Sequence, residues 1–503
     1  MRKHQQQQIL EILETMGEAQ AARLYADCQE GAQSIAEFID EMEGEGTRTA
    51  ALLHEYCELI AKISNGQIGD QVLRRHLLKI ENSVKDELKP NKIEMAFLSY
   101  KASMSDSIES IYLAAKEDPA VDAYWIPIPY FERNADGSLG PMLYEGREHY
   151  GEGIVCTDWQ AYDIKTRRPD VVVTFAPYDG LNRVTSVYPE FYCERLRNHT
   201  DMLVYVPYFV VADDVAEHFC IVPGCVYAHR VLLQSEKLRN TYMRVFSERY
   251  GRMFGDPQEK FVVLGSPKYD KALVTKRDDC PLPPEWERLI AGRKVVFYNS
   301  TIGAVLAGNE QYLANLRASF DVFRRSDDVA LWWRPHPLND ATYRSMRPHL
   351  LDEYRQIIDD YRREGWGIYD DTSDLHRALA WSDACCGDMS SIVALFYATG
   401  KPVLINTLDQ HYSEGLDTSK TDGRDPAGAS SDEWEAVLDE SGLLYCESHE
   451  LPLSAFIHML VQDSPILERL GQRGRDSFLR LNANTDGTAG AKMLEYCMRY
   501  VMG

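Results

Sequence analysis

The feature that most constrains the fold of this chain is an alternation of short apolar segments with helical ones, which runs twice along the sequence. Residues 280–284, Cys-Pro-Leu-Pro-Pro, separate the two runs. Short apolar segments joined by helices are typical of parallel sheets that are covered on both faces. The pattern therefore predicts an α/β chain with two Rossmann-like, doubly wound domains that face each other across a cleft.

The two runs also predict where the domains lie. Before the first run, apolar side chains recur at helical spacing, which predicts a helical extension that packs on the main body or on a second subunit. The last helices, at about 464–481 and 487–501, are expected to cross back to the first domain. The predicted parts are a helical extension (1–90), an N-terminal acceptor-side domain (91–279), a C-terminal nucleotide-binding domain (285–485) and a C-terminal helix (486–503).

Within the domains, the periodicity predicts individual elements. The predicted strands are 93–98, 124–128, 170–175, 202–206, 231–233 and 261–264 in the first run, and 294–298, 329–333, 367–369, 384–386 and 402–405 in the second. The predicted helices are 105–116, 239–250, 310–325, 340–363, 373–381 and 390–399.

Composition excludes several classes of function. The 54 basic and 78 acidic residues leave a net charge of −24, which repels nucleic acid in the absence of a basic cluster. No apolar run is long enough to span a bilayer and no apolar signal core is present, so we expect a cytoplasmic protein. The 11 cysteines form no CxxC pair, which indicates buried free thiols in a reducing compartment. Neither a metal site nor a cofactor is predicted.

The segment Gly387-Asp388-Met389-Ser390-Ser391 is the most informative for chemistry. A strand ends there, a glycine lets the backbone turn, and two serines open an apolar helix. The N–H groups of a first helical turn, together with two hydroxyls, suit a phosphate group. The alternative is an ordinary helix cap, since Asp and Ser are favoured at that position.

Three further strand ends carry groups that are compatible with phosphate. Arg334 offers a planar fork and His336 a proton, in a loop pinned by two prolines. Gly265 permits close backbone approach, with Lys268 adding charge, and Ser300 with Thr301 follows another strand. Read singly, each segment is explained equally well by a polar turn or a surface loop. The occurrence of four such loops at one cleft favours a nucleotide site.

Together, in order and spacing, these segments resemble the CDP-glycerol glycerophosphotransferases of teichoic-acid synthesis, which have a GT-B fold. The family's Gly-x-Pro-Arg-x-Asp element is similar to 265–270 here, and its His-Pro strand end is similar to His336-Pro337. Its Ser-Asp-Tyr-Ser-Ser element is similar to 387–391. The resemblance covers about 200–410 well and 92–200 in pattern only, and residues 1–90 fall outside it.

The resemblance implies a transferase that moves a phospho-alcohol, such as glycerol phosphate, from a CDP-alcohol to an acceptor hydroxyl and releases CMP. The product would be a cell-surface polymer or glycan. It implies that His336 stabilises or protonates the leaving group. Asp106 and Tyr205 are candidates for the base. The residues expected to bind nucleotide or phosphate are Gly265, Lys268, Ser300, Thr301, Arg334, Gly387, Asp388, Ser390 and Ser391.

The implied partners are a CDP-alcohol donor and a polymer, glycan or lipid-linked acceptor. Contact with a membrane is expected to be peripheral at most, at the inner face of the cell membrane. The helical extension is a candidate surface for a homo-oligomer.

The chain departs from the family at two positions. The family's His-Gly-Thr-Pro element carries the histidine thought to be the base, and this chain has Val204 there, at a position expected on the opposing lip of the cleft. The family's arginine is Lys268, which keeps the charge but not the fork. Either another group acts as the base, or the acceptor differs, or activity is lost. A nucleotide-sugar glycosyltransferase or epimerase of GT-B fold and an inactive nucleotide-binding scaffold therefore stay open.

Overall fold

The computed structural model describes residues 1–406, 444–446 and 451–502 of the chain. Residues 407–443 and 447–450 of the predicted C-terminal domain, and residue 503 of the predicted last helix, lie outside the described residues. Within the described ranges, a helical extension is followed by two α/β units, and each unit contains one six-stranded parallel sheet.

The extension has its own core. Its helices are α1 (Lys3–Ala21), α2 (Tyr25–Glu43), α3 (Arg48–Ser64) and α4 (Asp70–Glu87). Leu13, Ile39 and Leu53 are fully buried between them. An ion pair between Arg2 and Glu94, 3.3 Å long, ties the extension to the first unit. The helices predicted for residues 1–90 are confirmed.

The first unit contains a parallel and an antiparallel sheet. Its strands are β1 (Ile93–Ser99), β2 (Val121–Pro127), β3 (Tyr130–Arg133), β4 (Leu139–Leu143), β5 (Val171–Thr174), β6 (Thr185–Val187), β7 (Met202–Tyr205), β8 (Arg230–Leu233) and β9 (Phe261–Val263). The parallel sheet has the order β2–β1–β5–β7–β8–β9. Val172 and Leu203, in its central strands, are fully buried, as expected for strands covered on both faces.

The second unit is a Rossmann sheet. Its strands are β10 (Lys294–Ser300), β11 (Val329–Pro335), β12 (Ile368–Tyr369), β13 (Ala384–Gly387), β14 (Val403–Asn406) and β15 (Leu444–Cys446). All pair in parallel, in the order β12–β11–β10–β13–β14–β15. Two neighbouring tryptophans of β11, Trp332 and Trp333, are buried in separate cores on the two faces of the sheet.

Helices connect the strands and close the chain. They are α5 (Glu109–Glu117), α6 (Ile164–Arg167), α7 (Cys193–Leu196), α8 (Pro223–Tyr227), α9 (Glu236–Tyr250), α10 (Pro257–Lys260), α11 (Pro267–Val274), α12 (Pro284–Ile290), α13 (Ile302–Arg324), α14 (Asn339–Met346), α15 (Leu351–Glu364), α16 (Leu375–Trp381), α17 (Ser391–Thr399), α18 (Leu451–Val461), α19 (Pro465–Leu481) and α20 (Ala489–Met502). Helix α20 packs against α5 and buries Met493 and Leu494 in the core of the first unit. The last helix therefore crosses back to the first unit, as predicted. Helix α19 instead packs against α17 of the second unit, so the prediction was wrong for the helix at 464–481.

Two local predictions are corrected, and one sheet was not predicted. The helix predicted at 340–363 is two helices, α14 and α15, because Pro348 cannot continue the first one. The helix predicted at 105–116 is preceded by a 3-10 helix, Ala102–Ser107, and α5 begins only at Glu109. The antiparallel sheet β4–β3–β6 was not predicted.

The carboxyl ends of the two parallel sheets face each other. The backbone N–H of Val210, in the loop after β7, donates to Oγ of Ser391 at the start of α17, at 3.3 Å. Arg344 in α14 donates to the carboxylate of Glu132 in β3, at 2.7 Å. The predicted fold class, α/β with two doubly wound units facing a cleft in a GT-B-like arrangement, is confirmed. Among the described helices, none combines the length and the apolar composition that crossing a membrane requires.

Candidate active site

Ligands of open parallel sheets bind beyond the carboxyl ends of the strands, where the connections change direction. In the second sheet this switch point lies between β10 and β13, which end at Ser300 and Gly387. In the first sheet it lies between β1 and β5, which end at Ser99 and Thr174. Ser300, Arg334 and Gly387 lie at the carboxyl ends of β10, β11 and β13. The other predicted site residues lie in the segments that follow β1, β9, β10, β11 and β13.

Asn299 joins the two loops at the second switch point. Its Nδ2 donates to the carbonyl of Asp388 at 2.8 Å and to Oγ of Ser390 at 2.7 Å. Ser390 Oγ also accepts a backbone N–H from the first turn of α17, so it caps that helix. Thr301 caps α13 in the same way, at 3.1 Å. Two helix N-termini with hydroxyl caps therefore begin side by side, an arrangement suited to binding phosphate. We call Asn299, Thr301, Ser390 and the N-termini of α13 and α17 the cradle.

The carboxylate of Asp388 holds the cradle together. Its Oδ2 accepts the backbone N–H of Thr301 at 2.8 Å. The hydroxyls of Thr301 and Tyr312 lie at 3.3 Å from the same oxygen. Asp388 is 7% exposed, so these contacts are made away from bulk water. The side chain fixes the loop after β10 against the loop after β13.

His336 lies beside the cradle. Its backbone N–H donates to the carbonyl of Ser300 at 3.1 Å. Its Nδ1 accepts the backbone N–H two residues further on, at 3.1 Å, so the neutral ring carries its proton on Nε2. Burial and the positive charges of Lys101, Arg334 and Lys268 lower the pKa of His336 to about 4. At neutral pH the side chain is therefore a neutral N–H donor.

Asp106 is part of a buried triad with Lys268 and His376. Its Oδ1 accepts a hydrogen bond from Nζ of Lys268 at 2.5 Å, and its Oδ2 lies 2.9 Å from Nε2 of His376. The three residues are 6%, 5% and 2% exposed. Burial by itself raises the pKa of Asp106, but Lys268 and His376 outweigh it and hold that pKa well below its usual range. A carboxylate in this state is a poor proton acceptor.

Two predicted phosphate ligands use their polar groups inside the second unit. Nη1 of Arg334 lies 2.9 Å from Oδ1 of Asp370, and its Nη2 donates to the carbonyl of Thr372 at 2.6 Å. Oγ of Ser300 accepts the indole N–H of Trp333 at 3.1 Å, and Ser300 is 1% exposed. Arg334 thus adds positive charge near His336 from a fixed position, and Ser300 contributes to packing.

The two predicted site glycines occupy places where another side chain does not fit. Gly387 and Gly265 have φ of +131° and +87°. A Cβ on Gly387 would lie 2.3 Å from the carbonyl oxygen of Asn299, and one on Gly265 would lie 2.6 Å from that of Ala483. Close backbone packing therefore accounts for both glycines, and Gly387 lets β10 and β13 meet at the switch point.

Val204 does not lie at the cleft. It is in the middle of β7 and fully buried, so the expectation that it forms the opposing lip is wrong. A histidine at 204 would point into the core of the first sheet. Tyr205 is 1% exposed, and burial raises its pKa well above the usual value. It is a neutral phenol inside the fold.

Three residues of the site were not predicted. Asn299 directly precedes Ser300, and its position at a strand end was a usable signal. Lys101, which follows β1, forms a buried ion pair with Glu145 at 3.0 Å. His376 had no local signal, because Asp106 is 270 positions away in the chain.

The fold defines an α/β protein with two doubly wound units in a GT-B-like arrangement. Residues 237–420 match the profile of the CDP-glycerol:poly(glycerophosphate) glycerophosphotransferase family. This segment contains Lys268, His336 and Ser390, so the predicted resemblance is confirmed there. Over it the chain is CDP-glycerol glycerophosphotransferase-like. Asp106 lies outside the matched segment.

Three solved structures illustrate what the chain is similar to. One is the wall teichoic acid polymerase TagF, in a variant form, with 12% identity, a TM-score of 0.48, and coverage of 91% of this chain and 98% of that one. Another is the S. aureus MnaA–UDP co-structure, with 12% identity, a TM-score of 0.48, and coverage of 81% and 96%. A UDP-N-acetylglucosamine 2-epimerase has 12% identity, a TM-score of 0.47, and coverage of 82% and 96%. No curated protein matches the chain. Sequence identities and TM-scores this low do not assign an activity to the chain.

Proposed function

We propose that the chain transfers a phospho-alcohol such as glycerol phosphate from a CDP-alcohol to an acceptor hydroxyl, releasing CMP, in the synthesis of a cell-surface polymer or glycan. One observation carries this proposal. The caps Thr301 and Ser390 and the neutral donor His336 meet at one switch point, inside the segment that matches the family. A CDP-alcohol carries a pyrophosphate, the kind of anion that helix N-termini bind.

In this proposal the two domains divide the work. The C-terminal domain, 285–485, binds the nucleotide, because the cradle belongs to its sheet. The N-terminal domain, 91–279, binds the acceptor, because the carboxyl edge of its sheet faces the cradle, which the loop after β7 contacts through Val210 and Ser391. The acceptor is a polymer, glycan or lipid-linked compound, and contact with a membrane is peripheral at most.

The reaction is an in-line displacement at the β-phosphorus. The acceptor oxygen forms a bond to that phosphorus while the bond to the CMP oxygen breaks, and the hydroxyl proton passes to water. Phosphoryl transfer has a loose transition state, so positioning and charge neutralisation matter more than proton abstraction. Nε2–H of His336 donates to the oxygen that gains charge, and α13 and α17 hold the pyrophosphate. Asp106 holds Lys268 rather than acting as the base.

Turnover tests the proposal directly. The protein is incubated with CDP-glycerol, other CDP-alcohols and nucleotide sugars, each with an acceptor, and release of CMP or of nucleoside diphosphate is followed. CMP release from a CDP-alcohol supports the proposal. Release of nucleoside diphosphate from a nucleotide sugar favours a glycosyltransferase or epimerase. Tight binding of CMP with no turnover favours an inactive scaffold.

The identity of the nucleobase that the site binds is tested separately by thermal stabilisation. CMP, UMP, GMP and AMP are compared, and CMP should raise the unfolding temperature most. A ligand at a hundred times its Kd adds about 2.7 kcal/mol, which such a measurement detects. Equal stabilisation by UMP would favour a nucleotide-sugar enzyme.

A further inference from the structure

We propose that His376 is a positioning residue that couples the two units, because it holds Asp106 across the cleft and thereby fixes the position of Lys268. This inference rests on the proposed function of the site. Asp106 comes from the 3-10 helix after β1 in the first unit, and His376 from the first turn of α16 in the second unit. Lys268 begins α11, which packs against both α5 and α16.

The geometry shows what His376 does for the carboxylate. One oxygen of Asp106 accepts from Lys268 at 2.5 Å, and the other lies 2.9 Å from Nε2 of His376. With both oxygens held, the carboxyl group cannot turn, and Oδ1 stays aimed at Nζ. Because all three residues are more than nine-tenths buried, water does not compete for these charge-assisted bonds.

The structure records one polar contact for the His376 ring among the described residues, the contact of Nε2 with Asp106. Its Nδ1 is buried and has no hydrogen-bond partner among the described residues. A buried ring nitrogen without a partner lowers stability, and an apolar side chain at this position would avoid that cost. The start of α16 is formed independently, since Asp374 caps it by accepting the backbone N–H of His376 at 3.0 Å. The imidazole is therefore not needed to form the helix.

Lys268 is the cation of the site whose position depends on both units. The positive charges that help to lower the pKa of His336 are those of Lys101, Arg334 and Lys268. Lys101 and Arg334 are each paired with a carboxylate of their own unit. Lys268 is paired with a carboxylate that a histidine of the other unit holds. Loss of the His376 contact thus frees Lys268 while leaving the other two cations in place.

The test is an NMR titration of the His336 ring in the full-length protein, with His336→Gln identifying its resonance. His376→Gln keeps an N–H donor close to the position of Nε2, whereas His376→Leu fills the space and removes the donor. In His376→Leu the apparent pKa of His336 should rise by about 0.5 or more, because one positive charge has moved away. In His376→Gln it should stay at the wild-type value. If His376→Leu does not fold, His376→Asn removes the donor with a smaller change of shape.

The matched control is Glu109→Gln. It breaks the neighbouring ion pair between Glu109 and Lys271, which is 2.7 Å long and joins α5 to α11. Neither of these two charges is among those that lower the pKa of His336. An unchanged titration in His376→Leu, or an equal rise in Glu109→Gln, overturns the proposal.

The titration needs no turnover, so it separates this inference from the proposed function. If the wild type releases CMP, its kcat/KM should fall about tenfold in His376→Leu and recover in His376→Gln. If His376→Gln folds normally but its kcat/KM does not return to the wild-type value, the positioning role is contradicted. If the wild type releases no CMP, the proposed function fails and the titration still decides the inference.

Discussion

The two switch points of the molecule differ, although both lie at the carboxyl edge of a six-stranded parallel sheet. At the second, partly exposed hydroxyls of Thr301 and Ser390 cap helices that start there. At the first, Lys101 is paired with Glu145 and lies 4.9 Å above the ring of Tyr130. One edge therefore presents helix N-termini, which attract an anion, and the other presents charge that is already neutralised.

The difference arises in how the chain leaves each strand. After β10 the chain enters α13 almost at once, at Ile302, so the first-turn N–H groups lie at the sheet edge. After β1 it first forms the 3-10 helix Ala102–Ser107, and α5 starts only afterwards. The same sheet architecture thus yields two helix N-termini at the sheet edge in one unit and a charge-paired 3-10 segment in the other. Function is set by the loops rather than by the fold.

The largest effect is expected at His336. Removing one donor to the charge that develops in the transition state typically costs about a hundredfold or more in rate. His336→Ala should lower CMP release by that factor without changing the fold, measured by steady-state assay and circular dichroism. His349→Ala, an exposed histidine of the same unit, is the control and should retain wild-type activity. Normal turnover of His336→Ala would show that the site is assigned wrongly.

The next effect concerns the backbone of the second switch point. Gly387→Ala places a Cβ against the carbonyl oxygen of Asn299 at a φ of +131°, so it combines strain with overlap. Gly292→Ala also has a positive φ, +74°, but meets no atom within 4 Å. We expect Gly387→Ala to lower the free energy of unfolding by about 2 kcal/mol more than Gly292→Ala, measured with denaturant. Equal losses would mean that β10 and β13 can separate there without cost.

A smaller effect tests which switch point binds the nucleotide. Ser390→Ala removes a hydroxyl that caps α17 and bonds Asn299, and Ser391→Ala removes its neighbour. Each should weaken CMP binding by up to about tenfold in calorimetry. Tyr130→Phe removes a hydrogen bond to Glu145 at the first switch point and should leave CMP affinity unchanged. The reverse order of effects would place the nucleotide in the first unit.

The smallest effect is a dependence of stability on pH. The folded pKa of His336, about 4, lies below its ordinary value of 6.5, so the unfolded chain binds more protons between these values. The stabilisation is complete above pH 6.5 and is lost as the pH falls towards 4. His336→Gln lacks this term and should lose about 1 kcal/mol less than wild type between pH 7 and pH 5 in denaturant unfolding.

His229 in the first unit is the matched residue for this measurement. Burial and nearby arginine and lysine charges lower its pKa to about 4 as well, and its Nδ1 accepts the backbone N–H of Leu203 at 2.8 Å. His229→Gln should reduce the loss of stability by a similar amount without lowering CMP release. A fall in turnover equal to that of His336→Gln would contradict the difference between the two units.

Much of the architecture followed from local pattern. The apolar segments and the helical spacing predicted the parallel strands and the helical extension, because periodicity is set by neighbouring residues. The small sheet β4–β3–β6 was not predicted, because β3 and β4 are partly exposed and carry few alternating apolar residues, and β6 is only three residues long. The strand-end loops around Thr301, His336 and Ser390 were also found in sequence, since a strand that runs into a polar helix start is a local signal.

The sequence by itself thus determined the elements, their order and the loops that could carry chemistry. Only the tertiary structure decided which of those side chains remain available. It paired Arg334 with Asp370, turned Ser300 towards Trp333 and buried Val204 inside β7. It also brought His376 to Asp106 from 270 positions away. The physical reason is that burial and pairing depend on residues far apart in the chain, whereas helical and strand periods do not.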